Sequence, residues 1–363
     1  MDELNTKLNA IQALLERNGL KALVLNRVSS FAWATCGAAS YVNLATTDGA
    51  ASLVITPTGR HLVTNNIEAT RLEEEEKLKH EGWEFHVTPW YKSPDVIRSL
   101  VGKLKLGADG AFPGAKDLST EIAHLRVNLT PEEVVRFRML GRLCASAMDK
   151  AIRAVRPYMT EHEIAGLLAG EVESLGVQPI VNLVATDDRI YKYRHPLPTT
   201  KKLERYAMLV LCGRRAGLVC SITRLVHFGP IPDEIRKKAE AVARVDAALL
   251  AGTRPERALG EILKEAIAVY GVVGYPKEWQ QHHQGGITGY EPREYLAMPD
   301  SPELVAANQA YAWNPSIAGT KSEDTILVGR DGNEVLTAID GWPMISVDVN
   351  GVQFQRPAIL EII

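Results

Sequence analysis

Near the middle of the chain two strong helix starts follow one another, and this pairing restricts what the rest of the sequence can fold around. Thr130-Pro131-Glu132-Glu133 places an N-cap residue before a proline at the first helical position, with acids in the first turn, and the apolar rhythm then runs to about Val155. A second helix starts at Met159 to Glu163, where Thr160 and Glu163 have the spacing of a capping box, and it ends near Gly176. Strand-rich sequence from Ile180 to Gly229 comes after it, then helices over Asp233 to Ala251 and Glu256 to Tyr270, then further strands. Nothing repeats at a period of about 20 to 50 residues, which excludes a solenoid.

Upstream, helix and strand alternate. Leu4, Leu8, Ile11, Leu14 and Leu15 have helical spacing, and Gly19 stands where such a helix would stop. Strands are predicted over Lys21 to Leu25, Ala51 to Ile55 and His61 to Thr64, the last two joined by a Pro57-Thr58-Gly59 turn. A helix over Ile67 to Lys79 and a strand over Trp83 to Val87 come next. Pro94 to Leu104 reads as a helix with Ser93 as its N-cap, before the strand-like Lys105 to Ala108. The periodicity lapses between about 109 and 130. With 363 residues exceeding what one core usually holds, two α/β (α+β) domains are expected, 1–125 and 126–363.

Composition removes several function classes. Hydrophobic residues at 46% and charged residues at 23% suit a globular chain, and a net charge of -3 with scattered Lys and Arg offers no face for nucleic acid. The Glu73 to Glu76 run is followed by Lys77 and Lys79 and reads as a solvated helix face. No apolar run approaches the ~20 residues that cross a bilayer, and Met1-Asp2-Glu3-Leu4 lacks the basic start of a secretory signal. Cys36, Cys144, Cys212 and Cys220 form no CxxC pair, so reduced thiols and a cytoplasmic location are expected.

Five short words in a fixed order resemble the creatinase, prolidase and aminopeptidase P superfamily. They are Thr130-Pro-Glu-Glu-Val, Arg156-Pro-Tyr-Met-Thr-Glu-His-Glu-Ile, Arg194-His195-Pro196, Ser221-Ile222-Thr223-Arg224, and Ser322-Glu323-Asp324-Thr325-Ile326-Leu327-Val328. Gly19 to Leu23 and Gly49 to Thr64 are similar to strands of the creatinase-type N-terminal domain. The resemblance implies a creatinase-like α/β domain followed by a pita-bread domain, and also a homodimer.

Metal-dependent members of that superfamily hold two divalent ions with two aspartates, one histidine and two glutamates, a hard-oxygen set that generates hydroxide near neutral pH. Placed on this pattern, the first two aspartates fall at Leu211 or Cys212 and at Ser221, and one glutamate falls at Asn314, which leaves Glu323 as the retained carboxylate. The histidine word reads His282-His283-Gln284-Gly285-Gly286-Ile287-Thr288-Gly289-Tyr290-Glu291-Pro292-Arg293-Glu294. Alignment on Glu294 puts Gly286 at the ligand position, whereas alignment on the first histidine favours His283, and both stand. Losing about three negative charges argues against a metal pair, so no cofactor is expected; a single soft ion on Cys212 or Cys220 with a histidine is the alternative.

Resemblance to creatinase implies hydrolysis of a carbon-nitrogen bond without metal. His195 stands at the position resembling its catalytic histidine and would act as general acid and base, with Glu323 and His283 beside it. His282, Tyr290, Arg293, Glu294, Trp313, Asn314, Lys321 and Ser221 are expected to bind a small amino-acid-like or dipeptide-like substrate. Arg293 suits its carboxylate, and Glu323 suits a cationic group or the orientation of His195. Asp187-Asp188-Arg189 is a further candidate for the mouth of the site. Two rival expectations remain: an atypical metal-dependent Xaa-Pro peptidase, and a binding protein without catalysis.

Overall fold

The computed structural model describes residues 2–92 and 94–363. Two compact units result: residues 1–132 together with 216–218, and residues 133–215 together with 219–363. Helix, at 34%, and strand, at 29%, are both well represented, as the α/β (α+β) expectation required.

In the first unit, α1 (Glu3–Arg17) is capped by Asp2 and stopped at Gly19, whose φ of 63° is costly for any residue with a Cβ. Then come β1 (Ala22–Arg27), α2 (Val28–Ala34), β2 (Asp48–Thr56), β3 (Gly59–Asn65), α3 (Ala69–Glu74), β4 (Glu84–Thr88), α4 (Val96–Val101), β5 (Leu106–Ala108), β6 (Ala115–Asp117) and α5 (Ser119–Arg126). The six strands form one mixed sheet in the order β4-β3-β2-β1-β5-β6. Two helices are shorter than their sequence patterns predict. Beyond α3, Lys77 takes a φ of 57°, which is outside the helical region, and Gly102 does the same just past α4. The N-cap of α4 is Asp95, whose carboxylate accepts from Arg98 N at 3.0 Å; the expected cap, Ser93, lies outside the described residues.

α6 (Pro131–Ala154) runs into the second unit, and α7 (Glu161–Ser174) starts on the complete Thr160–Glu163 capping box. Next are β7 (Gln178–Thr186), α8 (Asp188–Lys192), β8 (Tyr206–Arg215), β9 (Leu218–Phe228), α9 (Asp233–Gly252) and α10 (Leu259–Val272). The predicted start of α10 at Glu256 is too early because Glu256 adopts a φ of 70°. The remaining strands are β10 (Gly285–Thr288), β11 (Tyr295–Leu296), β12 (Ala310–Trp313), β13 (Ser316–Ile317), β14 (Thr320–Lys321), β15 (Asp324–Val328), β16 (Asn333–Val335), β17 (Met344–Val349), β18 (Val352–Pro357) and β19 (Leu360–Ile362). Two of the sheets, β11-β10-β12-β15-β16 and β19-β9-β8-β7, carry or flank most of the polar residues singled out in the sequence. An isolated antiparallel bridge from Thr223 to Glu323 joins them, bringing residues a hundred positions apart within hydrogen-bond reach.

Candidate active site

Glu323 lies just before β15 with 2% of its side chain exposed, and both its oxygens meet protein groups. Lys321 Nζ sits 2.7 Å from Oε2, Thr223 Oγ1 donates to the same oxygen at 2.5 Å, and an Arg293 Nη donates to Oε1 at 3.1 Å. Burial alone would raise the carboxyl's pKa, but the Lys321 and Arg293 cations outweigh it and hold Glu323 well below the usual carboxylate range. Arg293 also donates to Ser221 Oγ at 3.2 Å and to the Pro292 carbonyl at 2.6 Å. Ser221 Oγ in turn lies 3.3 Å from Cys212 Sγ, on the neighbouring strand.

Three histidines face this cluster. His195 Nε2 lies 3.0 Å from His282 Nε2, and the rings of His282 and His283 stack at 4.3 Å. Burial, then the Lys321 charge, lowers the His282 pKa to about 2; burial, then Arg293, lowers His283 to about 4. His195, the most exposed of the three, is shifted below its ordinary 6.5 by the partial burial of its ring first and Lys321 next. All three imidazoles are therefore neutral at pH 7. Among the described residues, His282 Nδ1, His283 Nδ1, Arg293 Nε and Asn314 Oδ1 are buried atoms without a hydrogen-bond partner. Buried orphans of this kind are rare in a folded interior and mark where a bound molecule or water would be accommodated.

The structure thus brings together His195, His282, His283, Arg293, Lys321, Glu323 and Ser221, with Asn314 beside Gln284 through its backbone N–H at 3.0 Å. Several expected roles need correction. Tyr290 donates to Glu133 on α6 at 2.5 Å, and Glu294 accepts from Tyr290 N, so both serve the loop's own fold. Trp313 is fully buried, bonded to Thr253 and stacked on Tyr311; it belongs to the core because β12 is the middle strand of its sheet. Asp187 accepts three backbone N–H groups from Glu204 to Tyr206, and Arg189 pairs with the buried Glu161, which removes both from the mouth. Both Glu323 oxygens already meet internal cations, so a cationic substrate would have to compete with Lys321 and Arg293. Cys212 and Cys220 are buried thiols whose pKa burial raises, and among the described residues neither belongs to a set of three converging ligands.

Thr223 was visible only as part of a motif word; no local periodicity announces that its hydroxyl will hold Glu323. The Gly286 position is equally informative. A Cβ there would lie 2.1 Å from the Tyr295 carbonyl oxygen, so the pairing of β10 with β11 excludes a side chain without local rearrangement.

The family model for metallopeptidase family M24 matches residues 136–330, just over half the chain. The chain belongs to family M24. An Xaa-Pro dipeptidase of Pyrococcus horikoshii is 23% identical over 364 residues, covering 93% of this chain and 98% of the relative. An uncharacterized peptidase of Staphylococcus haemolyticus is 25% identical over 235 residues, 62% of this chain, and the match spans 66% of that relative's length. The fold matches that of an Xaa-Pro dipeptidase from Bacillus anthracis with a TM-score of 0.79 at 18% identity, covering 99% of this chain and all of the other. These likenesses establish the M24 pita-bread fold and a peptidase relationship.

Proposed function

We propose that this M24 member is a hydrolase acting on a carbon-nitrogen bond of a small amino-acid-like or dipeptide-like substrate, using side-chain cations where relatives use a metal pair. The observation that carries this is the occupation of both Glu323 oxygens by Lys321 and Arg293. Two dications need several anionic oxygen donors. Here the neighbouring donors are the neutral Ser221, Cys212 and Asn314, and the one carboxylate is already paired with two internal cations. That donor set does not fit a metal pair.

The cluster of Lys321, Arg293 and Glu323 has a net charge of +1 beside neutral histidines, in surroundings that weaken solvent screening. It would stabilise a substrate carboxylate or the oxyanion that forms when water attacks a carbonyl. His195, exposed and neutral at pH 7, would take the proton from that water and return it to the leaving nitrogen. His282, 3.0 Å from His195 Nε2, would fix the ring's orientation.

Xaa-Pro dipeptides, small amides and guanidino compounds, tested in the presence of a strong chelator, examine this reading. Turnover that survives the chelator and falls about 10²- to 10⁴-fold in His195→Ala supports it. Turnover unaffected by that substitution would remove His195 from the mechanism, and tight binding without turnover would indicate a binding protein.

A second reading has its own observation. The ligand atoms of His195, His282 and His283 all lie within 4.8 Å of one another, and three imidazoles with an open position are a donor set that suits a single zinc ion. Activity abolished by chelation and restored by one equivalent of zinc, with that equivalent lost in His282→Ala, would replace the first reading with this one.

A further inference from the structure

The first unit carries a second convergence of ligand atoms that the M24 chemistry does not use. β3 and β4 run parallel with His61 opposite Glu84 and Val63 opposite His86. Side chains alternate along a strand, so Glu84 and His86 share a face, and the register puts His61 on it too. The resulting contacts are close. His61 Nδ1 lies 3.0 Å from Glu84 Oε2 and 3.1 Å from His86 Nε2, and His86 Nε2 lies 3.6 Å from Glu84 Oε1. His61 is mostly buried, His86 partly so, and Glu84 is 64% exposed, which leaves one side open to water. The His61 ring lies over Gly59, where a Cβ would come within 3.1 Å of Cε1.

Proton bookkeeping shows why hydrogen bonding alone satisfies this group poorly. His61 Nδ1 carries at most one proton, yet it faces both a carboxylate oxygen and a second imidazole nitrogen. If it donates to Glu84, the His86 lone pair shares the same hydrogen. If His86 donates to it instead, the His61 lone pair points at the Glu84 carboxylate. A divalent ion accepts from all three at once. Ligands held about 2.0 to 2.2 Å from one tetrahedral ion stand roughly 3.3 to 3.6 Å from each other, within a few tenths of an ångström of the 3.0, 3.1 and 3.6 Å spacings observed.

We propose that His61, Glu84 and His86 form a binding site for a single divalent ion of the zinc class, separate from the Glu323 cluster, with water completing the coordination. Two imidazoles and one carboxylate suit zinc and its first-row neighbours better than magnesium or calcium. Since β4 is the edge strand of its sheet, the ion would clamp that edge to β3 and stabilise the fold in proportion to its occupancy.

The test uses the full chain, stripped with chelator and titrated with zinc chloride by calorimetry, alongside thermal unfolding. The proposal expects a saturable equivalent that persists in His282→Ala and is weakened by more than about tenfold in Glu84→Gln and in His61→Ala/His86→Ala. Zinc should raise the Tm of the His282→Ala chain, and raise it markedly less once Glu84→Gln is added. Glu84 is exposed, so the Glu84→Gln chain should fold even if the double variant does not. Unchanged stoichiometry and affinity in Glu84→Gln, or no saturable zinc binding by the His282→Ala chain, would overturn the assignment. Neither outcome bears on whether the Glu323 cluster hydrolyses a carbon-nitrogen bond.

Discussion

Glu323 and Asp324 are neighbours in sequence, both almost completely buried and both paired with arginine, yet the networks they join differ in kind. Asp324 receives Arg224 and Arg356, each at 2.8 Å, and the Thr337 hydroxyl at 2.7 Å. Arg356 continues to Asp246, which also accepts from Ser322. Two arginines are matched there by two aspartates, and the charges cancel inside the protein. Around Glu323, two cations meet one carboxylate, one positive charge is left over, and the adjoining histidines are partly exposed. The balanced network is a structural cross-link; the unbalanced one has an appetite for an anion. Adjacent positions and shared residue types therefore say little about role, whereas net charge and access decide it.

The largest effect is expected where the closed network is opened. Arg356→Leu leaves Asp246 and Asp324 short of their shared cation and should destabilise the chain by about 3–5 kcal/mol, read from the urea midpoint at constant slope. Glu323→Gln leaves Lys321 and Arg293 without their anion but keeps a polar acceptor between them, and the adjoining half-exposed site can take an anion from solution. It should cost less, about 1–3 kcal/mol, while lowering turnover by releasing the two cations from their positions. Equal losses in the two variants would erase the distinction between the networks.

Acid provides a smaller effect. Because the folded His282 pKa is near 2 and its ordinary value 6.5, the unfolded chain takes up a proton between those limits that the folded chain refuses. Glu323, held below its ordinary 4.5, acts in the same direction at lower pH, since its stabilising contribution is present above that value and is lost as pH falls toward its folded pKa. Stability should thus decline as pH drops below 6.5, and His282→Asn should flatten the first part of that decline in unfolding midpoints between pH 7 and 5. The smallest change is expected from His195→Ala. An exposed ring should alter stability by no more than about 0.5 kcal/mol, so a large loss of activity in that variant would come from chemistry.

Much of the scaffold was legible beforehand, because helix caps and strand alternation depend on residues two to four positions apart. Thr160 with Glu163, and Gly19 after α1, are examples. The expected helices around 67–79 and 94–104 ran too long because positive φ at Lys77 and Gly102 overrode the apolar pattern. In the candidate site, the resemblance placed the neutral Ser221 and Asn314 where carboxylates were expected, an expectation that needed only the order of the motif words. That Tyr290 and Trp313 would be spent on packing could not, since both partners, Glu133 and Thr253, are far away in sequence.

What the chain determined by itself was its inventory of charged and ionisable groups, Glu323, Lys321, Arg293 and three histidines among them. Only the tertiary structure decided which cation meets which anion. Coulomb attraction in a buried site acts over a few ångströms, and it was the pairing of β10 with β12 and of β12 with β15 that carried Arg293, thirty residues away in sequence, within range of Glu323.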